Sequence, residues 1–196
     1  MKFAFRPIGI FSGHNPQSAI QIVPDLSDVQ DLLGYRFSDP NVLLTALTHR
    51  SFRMVDPSGG DYERLEFLGD AVLGLVVSQK LYQGIDLPAG DLTKRTSQVV
   101  SRAACKKVAV RMGLDRFVRV GPAASVEGTS ILSNVIEAVL GAIYMDGGLT
   151  PAAEFVHRHF GDLISAAMAE GVENPKAMLN EMFLKERQAA PTYRVI

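Results

Sequence analysis

The chain has 196 residues, of which 47% are hydrophobic and 21% charged, and its formal net charge is -1. This is the composition of a folded globular protein of about one domain, not of a disordered chain or a strongly basic nucleic-acid binder. One cysteine, Cys105, excludes an intrachain disulfide framework and a cysteine-rich zinc site. The apolar stretch Ala71–Val77 falls far short of the roughly 20 residues a membrane-spanning helix needs. The expectation is therefore a cytoplasmic protein with no membrane partner, in which any nucleic-acid contact rests on local patches or on a metal ion.

Residues 1–26 carry Pro7, Gly9, Gly13, Asn15 and Pro16 without sustained periodicity, and read as a loose N-terminal extension lacking the apolar core of a secretory signal. Helical signals then dominate. Asp25 or Ser27 caps a helix through Leu33, and Asp39 with Pro40 opens another through His49. The run Asp56-Pro57-Ser58-Gly59-Gly60 is a loop by composition. Further helices are predicted near Tyr62–Leu81, Gly90–Met112, Ser130–Met145 and Pro151–Ala169, punctuated by Pro88-Ala89-Gly90 and Gly121-Pro122. Strand signals are nearly absent, so the fold class is all-α over residues 27–170. Residues 171–196 read as a linker, a short helix and a strand start at Thr192–Ile196.

Glu63, Glu66 and Asp70 recur at i, i+3 and i+7, which at about 100° per residue places them within an arc of roughly 60° on one helix. Leu65, Leu68, Val72, Leu75 and Val76 are assigned to the core-facing side. Two readings are open: a solvated acidic face, or a site covered by a partner or a cation. Phe67 and Val77, on or near the acidic arc, favour a covered face. A second helix carries Asn134 and Glu137 at i and i+3 among apolar residues, where a hydrogen-bonded pair is the simpler reading. Hard oxygen donors of this kind suit magnesium or manganese, and the usual chemistry of such ions is hydrolysis or transfer at phosphate. His14, His49, His157 and His159 lack the spacing of a ligand set and read as structural or exposed, and Cys105 as a small core residue. Lys94, Arg95, Arg102, Lys106 and Lys107 gather around one helix, as a phosphate-contacting surface or as an ordinary solvated face.

The eleven residues Glu63-Arg64-Leu65-Glu66-Phe67-Leu68-Gly69-Asp70-Ala71-Val72-Leu73 resemble the signature of the ribonuclease III family. The resemblance continues in Leu33-Gly34-Tyr35-Arg36-Phe37, Leu47-Thr48-His49-Arg50-Ser51, Gly90-Asp91-Leu92-Thr93-Lys94, Ser130-Ile131-Leu132 through Tyr144, and Asp146-Gly147-Gly148. It implies an all-helical endonuclease domain that works as a homodimer and cleaves double-stranded RNA with magnesium, leaving 5′-phosphate and 3′-hydroxyl ends. Processing of rRNA and other structured precursors is the implied setting, with no small-molecule cofactor. Carried over residue by residue, it implies that Glu66, Asp70, Asn134 and Glu137 form the metal site. Asp70 and Glu137 stand nearest the ion, and Glu63 supports cleavage beside the RNA. Phe67 resembles the aromatic knob that enters a socket on the partner subunit.

Three departures accompany the resemblance. Asn134 stands where the family usually has aspartate, Ala89 where it commonly has glutamate, and Asp61-Tyr62 where His-Asn is frequent. The loss of one charge per site predicts weaker metal binding, and supports an alternative in which the protein binds double-stranded RNA as a scaffold or processing cofactor. Asn174-Pro175-Lys176, Leu179-Asn180-Glu181 and Pro191–Ile196 resemble the start of a double-stranded-RNA-binding domain, giving an incomplete αβ fragment after the catalytic domain.

Overall fold

Asp39 shows how local sequence starts a helix here: its carboxylate accepts a hydrogen bond from the Asn41 backbone N–H, and Pro40 supplies the first helical φ. The computed structural model describes residues 26–169. The expectations placed on residues 1–25 and 170–196, including the fragment resembling an RNA-binding domain, lie outside the described residues. In chain order the helices are α1 (Leu26–Leu33), α2 (Pro40–Ala46), α3 (Glu63–Gly84), α4 (Ala89–Val99), α5 (Arg102–Met112), α6 (Ile131–Gly147) and α7 (Leu149–Ala169), with 3-10 turns at Arg50–Met54 and Leu114–Phe117. Among the described residues the one β element is an isolated bridge between Thr48 and Arg119. The all-α expectation therefore holds there.

Two boundaries differ from the periodicity. The stretch read as one helix over Gly90–Met112 is two, because Ser101 adopts an extended backbone and its hydroxyl caps α5 by accepting the Ala104 N–H. Helix α2 stops at Ala46 instead of His49, since Leu47 and His49 are drawn into backbone hydrogen bonds with Arg119. Those bonds tie the loop before α6 to the segment that leads into α3.

Helix α6 is apolar around most of its circumference, the pattern of a helix surrounded by others. Its Ile136, Leu140 and Ile143 are fully buried against Leu73 and Val76 of α3, Phe160 of α7 and Val108 of α5. Helix α3 is thus gripped on more than one side. Leu75, assigned to the core by its spacing, is 54% exposed, whereas Val77, assigned to the acidic arc, is fully buried.

Several of the recurring motifs are structural. Asp146 at the end of α6 accepts hydrogen bonds from the Tyr35 hydroxyl (2.8 Å) and the backbone N–H groups of Ser38 (2.9 Å) and Asp39 (3.3 Å). These bonds outweigh the effect of burial and hold its carboxyl below the ordinary range. Gly147 gives room for the Tyr35 ring, since a Cβ there would lie 2.4 Å from the Tyr35 oxygen.

Candidate active site

Helices α3 and α6 cross where neither carries a side chain. A Cβ on Gly69 would lie 1.7 Å from the Glu137 carbonyl oxygen, and one on Gly141 would lie 2.2 Å from that of Leu65. The two backbones therefore touch, and the acids flanking Gly69 are brought against Asn134 and Glu137. Structure thus joins four residues that sequence spacing could place only in two separate pairs of turns.

Glu137 is half-buried, with Asp70 beside it. Burial first, and then the Asp70 charge, push its carboxyl up to about 7. Cys105 lies close to Glu137: its thiol is pushed up by burial and by that carboxylate, and its S–H donates to the Val100 carbonyl oxygen, 3.8 Å away. Cys105 is a fully buried core residue, as expected, and it sits beside Glu137. Its sequence position offered no signal of that contact.

Glu66, also half-buried, is raised by burial and by neighbouring Glu63, and steadied in its charged form by Arg102 and by the nearby Asn134 amide. Asn134 also lies beside Tyr62, and its Oδ1 is 3.3 Å from the Ser133 hydroxyl, whose shorter bond, at 2.7 Å, goes to the Ser130 carbonyl. The Tyr62 side chain is buried, and its phenol is pushed up to about 12 by burial and by Glu66. Tyr62 and Asn134, two of the departures from the family pattern, thus lie together beside Glu66. Asp61 serves the backbone instead: it accepts the Glu63 N–H at 3.1 Å and pairs with Arg53 at 2.6 Å, fixing the start of α3.

Glu63 is exposed at the mouth of the site and lies 3.5 Å from Arg50. Phe67 is 80% exposed, and continues along α3 into Leu75 and Tyr82, the latter 75% exposed. The histidines do not join the acids. His49 accepts the Ser51 N–H and lies against the Tyr62 ring, His159 packs on Phe155, and His157 is exposed. His14 lies outside the described residues.

The basic cluster divides into different roles. Arg95 donates to the carbonyls of Ala167 and Met168 at the end of α7, and is a helix cap. Arg102, at the first turn of α5, faces Glu66 and Glu137. Lys94 and Lys107 remain exposed, and Lys106 is half-buried. Ala89 and Asp91 occupy the exposed first turn of α4.

The donors fit a hard divalent cation in a particular way. Among the described residues no three His, Cys, Asp or Glu side chains close around a single point. Asp70 and Glu137 are instead an adjacent carboxylate pair whose repulsion, though eased by Arg102, leaves the Glu137 carboxyl raised. One or two carboxylates, completed by water and a phosphate ligand, are how magnesium is usually held. Among the described residues no helix is long and apolar enough to cross a membrane.

Residues 39–163 match a family model described as Ribonuclease-III-like. The chain is 42% identical over 171 residues to the Ribonuclease 3 of Symbiobacterium thermophilum, covering 85% of this chain and 73% of that protein. It is 36% identical over 173 residues to the Ribonuclease 3 of Rhodopseudomonas palustris, covering 86% of this chain and 63% of that one. The fold superposes on the ribonuclease III nuclease domain of Campylobacter jejuni, described for flexibility in its dimer-forming region, with a TM-score of 0.65 and 34% identity over 70% of this chain and 97% of that one. Dicer from Pichia stipitis, at 21% identity and a TM-score of 0.57, shares the fold.

Proposed function

The chain belongs to the ribonuclease III family, and from that premise we propose that it is an endoribonuclease that hydrolyses phosphodiester bonds of double-stranded RNA, leaving 5′-phosphate and 3′-hydroxyl ends. The observation that carries this reading is the apposition of Asp70 and Glu137 across the glycine crossing of α3 and α6. Asp70 and Glu137 hold the magnesium ion, for which manganese can substitute, with Glu66 and Asn134 beside them. When bound, such an ion lowers the pKa of a water molecule and offsets charge on the scissile phosphate.

The remaining roles follow from position. Glu63, with Arg50 next to it, stands where an approaching RNA backbone passes the mouth of the site. Water is the nucleophile of such a hydrolysis, and the described histidines are engaged elsewhere, His49 with Ser51 and His159 against Phe155. Phe67 docks on a second copy of the chain, and two sites related by that dimer axis face the two strands of an A-form duplex. Recognition then rests on shape, phosphates and 2′-hydroxyls, which suits processing of rRNA and other structured precursors.

The test is cleavage of one labelled sequence presented single-stranded and fully paired, with the product ends determined. Cutting confined to the paired form, with 5′-phosphates, supports the reading. Cutting of the single strand, or 2′,3′-cyclic ends, contradicts it. A second reading, a family member that binds double-stranded RNA as a scaffold without efficient cutting, is favoured by one observation: Asn134 puts a neutral amide where the site would otherwise gain a carboxylate.

A further inference from the structure

We propose that an apolar groove between α4 and α7 is the dock of this chain's own C-terminal segment, which enters it through the side chains of Met178, Leu179, Met182 and Phe183. The groove holds about 310 Å3 and is lined by Gln98 and Val99 of α4 and by Leu163, Ala166 and Ala167 of α7. None of these side chains is charged, and the two alanines let another helix approach closely. Its walls are held in place. Arg95 of α4 donates to the Ala167 and Met168 carbonyls, and Met168 packs over Gly84 at the end of α3. The chain therefore leaves α7 beside the groove, with Leu163 only about 9 Å back along the helix from Ala169.

The sequence that follows suits this groove. Residues 170–176 reach up to about 25 Å when extended, and their Gly171, Asn174 and Pro175 favour a reversal of direction. Beyond them, at about 100° per residue, Met178, Leu179, Met182 and Phe183 share one face of a helix, with Asn180 and Glu181 on the other. A helix this short is marginal in water unless that face is covered, and methionine adapts well to an irregular apolar surface. A tether of a few residues holds the segment at millimolar effective concentration, so it outcompetes a second copy of the chain at micromolar concentration. Gly84 lies about 21 Å along α3 from Asp70, so the dock is distinct from the acidic site. It anchors the segment that resembles the start of an RNA-binding domain at the far end of α3 from the acids.

The experiment uses the full chain, whose one cysteine, Cys105, is fully buried and leaves introduced thiols as the reactive ones. Ala166 is exposed, so Ala166→Cys leaves the core intact. Paired with Met182→Cys and treated with a short bis-maleimide, it links within one chain about tenfold faster than when paired with Asn180→Cys on the other face. Equal rates for the two pairs, or links only between chains, would overturn the inference, the latter result assigning the groove to a second copy. Ala166→Glu, which sets a charge in the groove, speeds trypsin cleavage after Lys185 by about tenfold by releasing the segment. An unchanged cleavage rate in that variant would equally overturn the dock.

Discussion

Replacing Gly69 by alanine puts a methyl group into the tightest helix crossing of the protein. The new Cβ would lie 1.7 Å from the Glu137 carbonyl oxygen, 2.6 Å from its carbonyl carbon and 2.9 Å from the Gly141 nitrogen. Ordinary contact begins at 3.4 Å, and every clashing atom is backbone, so no side chain can rotate away. Relief requires α3 and α6 to part, which disturbs the packing of Leu73 and Val76 on Ile136 and Leu140. Overpacking of this kind costs typically 1–3 kcal/mol, and the backbone clash places this case at about 3 kcal/mol. For a domain of this size that corresponds to a fall in Tm of roughly 6–12 °C. Gly161→Ala is the control: it lies within α7 with no heavy atom inside 4 Å of its Cβ, and gains up to about 1 kcal/mol from helix propensity. Calorimetry compares the two. A Gly69→Ala protein melting with the native chain would refute the close crossing, and with it the apposition of Asp70 and Glu137.

Other outcomes follow from the same structure. In metal-free protein the raised Glu137 carboxyl binds a proton that the unfolded chain releases near 4.5, so native stability falls as pH rises from there to about 7. Glu137→Gln therefore melts above the native protein at pH 8 in chelator and close to it at pH 4, and equal gaps at both would contradict the raised Glu137 carboxyl. If the proposed dimer docks through Phe67, whose ring is 80% exposed on the single chain, Phe67→Ala shifts sedimentation at micromolar concentration from dimer towards monomer; an unchanged profile removes that role. Arg95→Ala frees two carbonyls at the end of α7 and lowers stability by about 1–2 kcal/mol in urea titration, whereas an ordinary surface arginine would give a change within about 0.5 kcal/mol.

Much of the fold was legible because helix caps and apolar periodicity are local. Asp39-Pro40 marked the start of α2, and the signature helix began within one residue of its predicted start. Ser101 was harder to read, since the apolar repeat runs through both α4 and α5, and only the extended backbone at that serine divides them. Leu75 and Val77 exchanged their expected sides because α3 is packed by several helices, and a single apolar arc does not describe it. The acids themselves were visible in their spacing and in the family resemblance. What spacing did not show were contacts made across the fold: Cys105 on Glu137, Tyr62 on Asn134, and Arg102 facing both glutamates. Tyr62 and Asn134, two separate departures from the family pattern in the sequence, are neighbours in the fold.

The account depends most on Glu137 acting with Asp70 in hydrolysis of paired RNA. Its most direct test is cleavage of a long, fully paired RNA at low salt with magnesium, comparing the native chain with Glu137→Ala and Asn134→Asp. The account predicts that the native chain cuts, and that Glu137→Ala does not while still retaining the duplex in calcium. A native chain that binds the duplex without cutting, with activity appearing only in Asn134→Asp, would contradict it and establish the scaffold reading.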